Sequence, residues 1–172
     1  MRNVVLYIAT TLDGYIAGPS GEIDWLFHDQ DYGYTEFLSS VDTLIMGRRT
    51  YKVTRSFGPW PNGDRKTFVF SRSQQPVTDE NIVFVTPDVP QFINDLKQKP
   101  EKEVWLVGGR EVVDEFVRHD LIDEFRIFVH PVLLGDGIGL FRPPFDRRAL
   151  KLDRVTQFDS ELVEMAYSRD LG

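Results

Sequence analysis

The stretch that decides the fold is Trp105-Leu-Val-Gly-Gly-Arg-Glu-Val-Val-Asp-Glu-Phe116. The residues from Val104 to Val107 are apolar and β-favouring, which predicts a buried strand. Gly108 and Gly109 follow at once. The apolar residues beyond them recur at helical spacing, which predicts an amphipathic helix whose charged residues face the other way. The stretch is therefore predicted to form a strand, a Gly-Gly turn and a helix.

Such a turn lets a backbone or a ligand approach closely, because glycine carries no Cβ. The helix start beyond it offers free N–H groups and the positive end of the helix dipole, which together suit a phosphate. The same pattern is also typical of a plain tight turn, so the stretch alone leaves both interpretations open.

Composition narrows the class of protein. A chain of 172 residues, 41% hydrophobic and 27% charged, fits one globular domain. The formal net charge of -7 argues against a general nucleic-acid partner. The chain has no cysteine, which excludes disulfides and thiolate chemistry. The apolar run over residues 4–9 is too short for a signal segment, and no stretch could span a bilayer, so we expect a cytoplasmic protein.

Along the chain, strand patterns alternate with helix patterns. Strands are predicted over 4–9, 43–46, 66–71, 82–85, 104–107, 124–134, 150–158 and 162–167, and helices over 31–40, 51–57, from 90 and after 109. Loops are predicted over 10–23 and 135–139. This alternation predicts an α/β fold with a mainly parallel sheet, helices on both faces and an antiparallel pair at the C-terminal edge.

Residues suited to an anion follow three of the predicted strands. They are Gly47-Arg-Arg-Thr50, Ser71-Arg72 and Gly108-Gly-Arg110. In an open α/β sheet, ligands bind beyond the carboxyl ends of parallel strands, and these three ends meet at one edge. Arginine forks match phosphate oxygens, and hydroxyl groups add donors. Each end alone is also typical of solvated surface, but the three together predict a polyphosphate site.

Other chemistries find less support. His28, His119 and His130 lack the spacing of metal ligands, so no metal site is expected. A Gly-x-Ser-x-Gly elbow is absent, and a zinc deaminase would need paired cysteines.

Three motifs occur in an order and at separations similar to those of one superfamily. They are Thr11-Leu-Asp-Gly-Tyr-Ile-Ala17, Met46-Gly-Arg-Arg-Thr-Tyr51 and Val107-Gly-Gly-Arg110. With them the chain resembles the dihydrofolate-reductase-like superfamily, and most of all the branch that includes the reductase domain of the bifunctional riboflavin-biosynthesis deaminase-reductase. Pro131-Val-Leu-Leu-Gly-Asp-Gly-Ile-Gly-Leu-Phe141 is also similar to that branch. The resemblance covers nearly the whole chain and implies a single domain over 1–172 with a mixed eight-stranded sheet.

The resemblance also implies a cofactor, NADPH, bound in extended form. It implies that Arg48, Arg49 and Thr50 meet the cofactor phosphates, that Ser71 and Arg72 hold the adenosine 2′-phosphate, and that Gly108 to Glu111 cradle the diphosphate. Ala9, Ile16 and Ala17 would lie by the nicotinamide. The full set of implied cofactor residues is Ala9, Ile16, Ala17, Gly47, Arg48, Arg49, Thr50, Ser71, Arg72, Val107, Gly108, Gly109, Arg110 and Glu111.

Two candidate catalytic residues also come from the resemblance. Folate reductases carry a carboxylate on the first helix, and counting back from Met46 without a gap puts Asp31 at that position. Asp31 could equally be a helix N-cap. His130 falls where the family has a polar residue near the substrate, and it could instead be a satisfied core histidine. Trp25 resembles the loop tryptophan of folate reductases.

These features predict an NADPH-dependent reductase that transfers hydride to a small heterocyclic substrate, similar to a pteridine or pyrimidine. A non-catalytic module that binds NADPH or another nucleotide is the alternative, and a structural dimer with an idle pocket is a third. We expect a homodimer, because the related riboflavin reductases pair through sheet edges. We also expect the segment 13–25 to move when cofactor binds.

Overall fold

The computed structural model describes residues 1–73 and 80–170. The strands are β1 Val4–Thr11, β2 Tyr15–Ala17, β3 Val41–Gly47, β4 Lys66–Phe70, β5 Ile82–Val85, β6 Glu103–Gly108, β7 Glu124–His130, β8 Ile138–Gly139, β9 Leu150–Gln157 and β10 Val163–Arg169. The helices are α1 Tyr34–Ser40, α2 Arg48–Ser56, α3 Val89–Lys97 and α4 Arg110–Arg118.

The main sheet has eight strands in the order β5-β4-β3-β6-β1-β7-β10-β9. The six strands from β5 to β7 pair in parallel, and β10 pairs antiparallel with both β7 and β9. The predicted fold class is therefore confirmed, including the antiparallel C-terminal edge. Because parallel strands end at the same edge, the carboxyl ends of six strands lie in one row.

Alternate residues of the central strand β1 lie in two different hydrophobic cores, because successive side chains of a strand point to opposite faces. Val4 and Leu6 pack with apolar residues of α3 and α4 on one face. Val5 belongs to a second core on the other face, which includes Phe37 of α1 and against which Tyr51 of α2 packs. Helices thus cover both faces of the sheet, as the sequence predicts.

Two predicted loops each contain a short strand. Tyr15 pairs with Gly139, and Ala17 pairs with Ile138, so that β2 and β8 form a separate two-stranded sheet. Gly137 permits this pairing, because a Cβ there would lie 2.3 Å from the Ala17 carbonyl oxygen. The expectation of plain loops over 10–23 and 135–139 is wrong at these residues.

Other boundaries also differ from the prediction. The strand expected over 124–134 ends at His130, because Pro131 has no N–H to donate and Val132 N–H turns back to the His130 carbonyl at 2.8 Å. The first helix begins at Tyr34 rather than at residue 31. Helix α2 begins at Arg48 rather than at residue 51, directly after the last residue of β3.

Across residues 1–73 and 80–170, no helix is both long enough and apolar enough to span a lipid bilayer.

Candidate cofactor and substrate cleft

A cleft of about 1840 Å³ runs along the carboxyl edge of the parallel strands. At one end it is bordered by the ends of β3, β4 and β5 and by the starts of α2 and α4. We call this the anion end. At the other end it is bordered by Tyr7 of β1, the segment 25–34, Trp105, Phe128 and His130, with Leu162. We call this the aromatic end. Ala9, Ile16 and Ala17 also line the cleft.

Two helix starts meet at the anion end. Gly47 and Gly109 are the N-cap residues of α2 and α4, and neither helix start has a side-chain cap in the part of the chain that the structure describes. The two starts are close together, because a Cβ on Gly109 would lie 3.2 Å from Thr50 Oγ1, and a Cβ on Gly47 would lie 3.9 Å from the Gly109 nitrogen. Unused N–H groups of two adjacent helix starts therefore face one space.

The arginines of the anion end have spare donors. Arg48 Nη1 donates to Ser73 Oγ at 3.1 Å, while Arg48 Nε is buried with no partner among the described residues. The Ser71 hydroxyl donates to the Ser73 carbonyl at 2.7 Å, which shapes the turn after β4 and leaves Arg72 exposed. A buried guanidinium nitrogen without a partner is costly unless a ligand supplies an acceptor.

The structure brings nearly all the predicted cofactor residues to this one cleft. Ala9, Ile16, Ala17, Gly47, Arg48, Arg49, Thr50, Ser71, Arg72, Val107, Gly109, Arg110 and Glu111 line it. Gly108 does not line the cleft. It is buried at the end of β6, where its positive φ of 124° favours glycine. Asp31 and His130 line the aromatic end, away from the helix starts.

The aromatic end is built from rings on separate elements. The Tyr7 ring centroid lies 4.5 Å from that of Phe128, 6.1 Å from that of Trp105 and 6.2 Å from that of Tyr34. Burial raises the pKa of the Tyr7 hydroxyl above its ordinary value. Sequence reasoning did not assign these four residues to the site. Their spacing shows no pattern, because they lie on β1, α1, β6 and β7.

His130 is buried, and both its ring nitrogens are occupied. Its Nδ1 lies 3.1 Å from the Phe128 carbonyl, and its Nε2 accepts the N–H of Phe27 at 3.2 Å. These partners assign the neutral tautomer with the proton on Nδ1. Burial lowers the pKa of His130, and the rings of Trp25 and Phe27 pack edge-on against it. This geometry is that of a satisfied core histidine that holds the segment before α1 in place.

The His130 pKa predicts a pH dependence of stability. Since the folded pKa lies below the unfolded value, only the unfolded chain takes up this proton as the pH falls below about 6.5. The free energy of unfolding should therefore decrease in that window, by up to about 1.4 kcal/mol per pH unit for this one group. Urea unfolding between about pH 7 and pH 5.5 should show a flatter dependence in His130→Gln than in the wild type. Equal slopes would contradict the assignment.

Asp31 is exposed, two residues before the N-cap of α1. Its Oδ1 accepts the Thr35 hydroxyl at 2.6 Å and the Thr35 N–H at 3.2 Å. The hydrogen bond from that hydroxyl, helped by the backbone bonds, lowers the pKa of Asp31. The N-cap residue is Gly33, so Asp31 supports the helix start without being the N-cap. An ionised carboxylate in this position is an acceptor for ligand donors and a poor proton donor.

The first loop is more restrained than the sequence indicated. The Asp13 carboxylate accepts the N–H groups of Leu134 and Gly135, and the Thr11 hydroxyl donates to it at 2.6 Å. These bonds lower its pKa to about 2, with the Thr11 hydroxyl as the main cause. Ile16 packs against the core, whereas Leu12 is 65% exposed. Residues 18–22 form a turn of their own, in which the Gly18 N–H donates to the Glu22 carbonyl at 2.8 Å and the Ser20 N–H donates to the Glu22 carboxylate at 2.9 Å.

Comparison with known proteins agrees with this architecture. The profile of the RibD C-terminal domain family matches residues 2–163. The YwjB protein of Bacillus subtilis strain 168 is 40% identical over 172 residues, covering 98% of each chain. A protein from Shewanella sp. PV-4 of known crystal structure is 31% identical and has a TM-score of 0.87, with 99% of each chain covered.

Two more distant structures share the fold. One is the diaminohydroxyphosphoribosylaminopyrimidine deaminase/5-amino-6-(5-phosphoribosylamino)uracil reductase of Thermotoga maritima, with 17% identity, a TM-score of 0.75, and coverage of 98% of this chain and 57% of that one. The other is the dihydrofolate reductase of Enterococcus faecalis complexed with NADP(H), with 20% identity, a TM-score of 0.70, and coverage of 98% and 96%. The fold is dihydrofolate-reductase-like, and the chain belongs to the RibD C-terminal domain family.

Proposed function

We propose that this protein is an NADPH-dependent reductase that transfers hydride to a small heterocyclic substrate similar to a pteridine or pyrimidine. The observation that carries the proposal is the anion end of the cleft, where two uncapped helix starts and several arginines face one space. The aromatic end lies in the same cleft, so a dinucleotide and a flat substrate can meet within it. The NADP(H) complex of the Enterococcus faecalis structure supports the choice of cofactor.

The residues present fit NADPH. The helix starts at Gly47 and Gly109 would hold the diphosphate, and the spare Nε of Arg48 would meet a phosphate oxygen. Arg72 would hold the adenosine 2′-phosphate. Ala9, Ile16 and Ala17, between the two ends, would lie against the nicotinamide. When bound, NADPH supplies a hydride to a carbon of the substrate and is oxidised to NADP⁺, and the substrate atom bonded to that carbon takes up a proton from water.

The chain's own residues would orient the substrate. Asp31 would accept hydrogen bonds from substrate N–H groups, and His130 would act as a positioning residue through its bond to Phe27. Both remain candidate site residues. The lowered pKa of Asp31 and the occupied nitrogens of His130 favour solvent as the proton source.

The alternative is a module that binds NADPH without turnover. The lack of a carboxyl group with a raised pKa among the described residues that line the aromatic end favours it. Steady-state oxidation of NADPH with a panel of pteridines and pyrimidines separates the two. The reductase proposal expects cofactor-dependent turnover with at least one of them, and binding without any turnover supports the module.

We expect cofactor binding to slow hydrogen exchange in residues 19–24. Gly21 lies beside Arg49, because a Cβ on Gly21 would be 3.1 Å from Arg49 Nη2, so a phosphate held by Arg49 would also contact this stretch. Exchange measured with and without saturating NADP⁺ should show protection there and little change at Asp13. Unchanged exchange in residues 19–24 would contradict a closing loop.

We also expect a homodimer. The register of β9 and β10 shifts at a bulge between Ala166 and Tyr167. As a result three apolar residues of β9 share one face of the sheet. They are Leu150, Leu152 and Val155, whose cross-strand partners on β10 are Arg169, Tyr167 and Met165. Leu152 and Val155 are 51% and 54% exposed, on a strand whose other edge is unpaired in the described chain. A second copy would cover this apolar stripe.

The test is light scattering at micromolar concentration. The wild type should have twice the chain mass, and the double variant Leu152→Asp and Val155→Asp should have the mass of one chain. Lys151→Asp, on the same strand, serves as the control for added acidic charge. A monomeric wild type would contradict the prediction.

The cytoplasmic location, the absence of nucleic-acid partners and the single domain over 1–172 also stay predictions.

A further inference from the structure

We propose that the aromatic end of the cleft takes a planar ring compound that is uncharged or cationic, and that it excludes phosphate esters. This inference rests on the proposed function, because it concerns the substrate of the same cleft. It follows from how charge is divided between the two ends.

All the cationic side chains among the described cleft residues belong to the anion end. They are Arg48, Arg49 and Lys52 on α2, Arg72 after β4, and Arg110 on α4. Lys52 follows Arg48 by four residues, so it lies on the same face of α2 as the arginine that contacts Ser73. These five cations suit the phosphates of a dinucleotide. None of them lies on β1, on the segment 25–34 or on β7.

The aromatic end has the opposite character. Of the described residues that line it, Asp31 is the one with a formal charge at neutral pH, and the Thr35 hydroxyl keeps that carboxylate ionised. His130 has no free ring nitrogen to offer a ligand. A phosphate here would lie near a carboxylate, with no Lys or Arg among the described residues of this end to pair with it.

Arg126 does not change this balance. Its guanidinium lies 5.2 Å from the Tyr7 ring centroid, but it does not line the cleft. It is paired at 2.7 Å with the buried Glu164, which Arg154 also contacts at 3.1 Å. Glu103 and Glu124 also interact with the Arg126 charge, so it is balanced by carboxylates that do not line the cleft. The rings of Tyr7, Tyr34 and Trp105 instead present flat apolar surface, which suits stacking with a heterocycle and tolerates a cation.

This class differs from the phosphorylated compound, 5-amino-6-(5-phosphoribosylamino)uracil, that the Thermotoga maritima enzyme is named for. The test uses that compound and the same molecule without its phosphate. Each is titrated into protein saturated with NADP⁺, so that the anion end is filled. The tryptophan fluorescence is followed, to which Trp25 and Trp105 of the cleft contribute. A third probe, 2,4-diaminopyrimidine, supplies a small ring that is readily protonated.

We expect the form without phosphate to bind at least ~10-fold more tightly than the phosphate ester, because an unpaired anion in the pocket loses its hydration. We expect Asp31→Asn to weaken the binding of 2,4-diaminopyrimidine roughly 2- to 5-fold, which is the usual effect of losing an exposed ion pair. Asp146→Asn removes the same charge from an exposed residue that does not line the cleft and should have no effect. Equal or tighter binding of the phosphate ester would overturn the inference, and so would no binding of any of the three probes.

A gain of function gives the second test. Gln30→Lys adds a cation at the rim beside Asp31. It should reduce the ratio of the dissociation constants, phosphate ester over the form without phosphate, by ~10-fold. Gln98→Lys, after α3, is the control and should leave it unchanged. A preference that Gln30→Lys does not alter would overturn the inference. NADP⁺ is first titrated alone into each protein, and its failure to bind would contradict the proposed function instead.

Discussion

Replacing Arg72 with alanine is expected to weaken NADPH binding roughly 10- to 100-fold and to leave NADH binding nearly unchanged. The two cofactors differ only in the 2′-phosphate, and Arg72 stands exposed at the end of β4, facing the anion end of the cleft. Hydrogen bonds to charged groups contribute ~1.5–3 kcal/mol, and ~1.4 kcal/mol corresponds to a factor of ten.

Calorimetric titration of both cofactors against both proteins provides the measurement, at fixed ionic strength because salt screens exposed charges. Arg55→Ala is a matched control, since Arg55 is an exposed arginine on α2 that does not line the cleft. Equal weakening of NADPH and NADH would show that Arg72 has a structural role. Wild-type protein that binds neither cofactor would contradict the reductase proposal.

Replacing Gly109 with valine is expected to weaken the binding of both NADPH and NADH by at least ~100-fold. Already the first added carbon would lie 3.2 Å from Thr50 Oγ1, and the valine methyl groups would fill the space between the two helix starts. The diphosphate would lose at least two charge-assisted hydrogen bonds, a loss of roughly 3–6 kcal/mol. Unlike Arg72→Ala, this change should not distinguish NADPH from NADH.

The control for this prediction is Gly139→Val. A Cβ at Gly139 would meet nothing closer than the Phe141 carbonyl oxygen at 3.5 Å, an ordinary contact. Both variants should first be shown to keep the wild-type circular dichroism spectrum. Normal cofactor binding in folded Gly109→Val would mean that the diphosphate lies elsewhere.

The sequence was informative where function depends on residues close together in the chain. The strand, Gly-Gly turn and helix around Gly108 were predicted correctly, because each step has a local signature in apolar spacing or glycine. The polar residues after β3 and β4 also have local patterns, and they line the cleft together with the start of α4. Parallel strands end at one edge, so short local patterns were enough to bring distant residues into one predicted site.

The sequence was less informative where pairing is non-local. Strands β2 and β8 are three and two residues long and stabilise each other across more than a hundred residues, so neither has a pattern of its own. The role of His130 depends on the N–H of Phe27, which lies 103 residues away. The aromatic end was missed for the same reason, since its rings come from four elements.

The central claim is that the carboxyl edge of the sheet binds NADPH with its phosphates at the anion end. A crystal structure of the protein with NADP⁺ tests it most directly. The account predicts the diphosphate within hydrogen-bonding distance of the helix starts at Gly47 and Gly109, the 2′-phosphate on Arg72, and the nicotinamide beside Ala9 and Ala17. A cofactor bound with its phosphates away from both helix starts would contradict it.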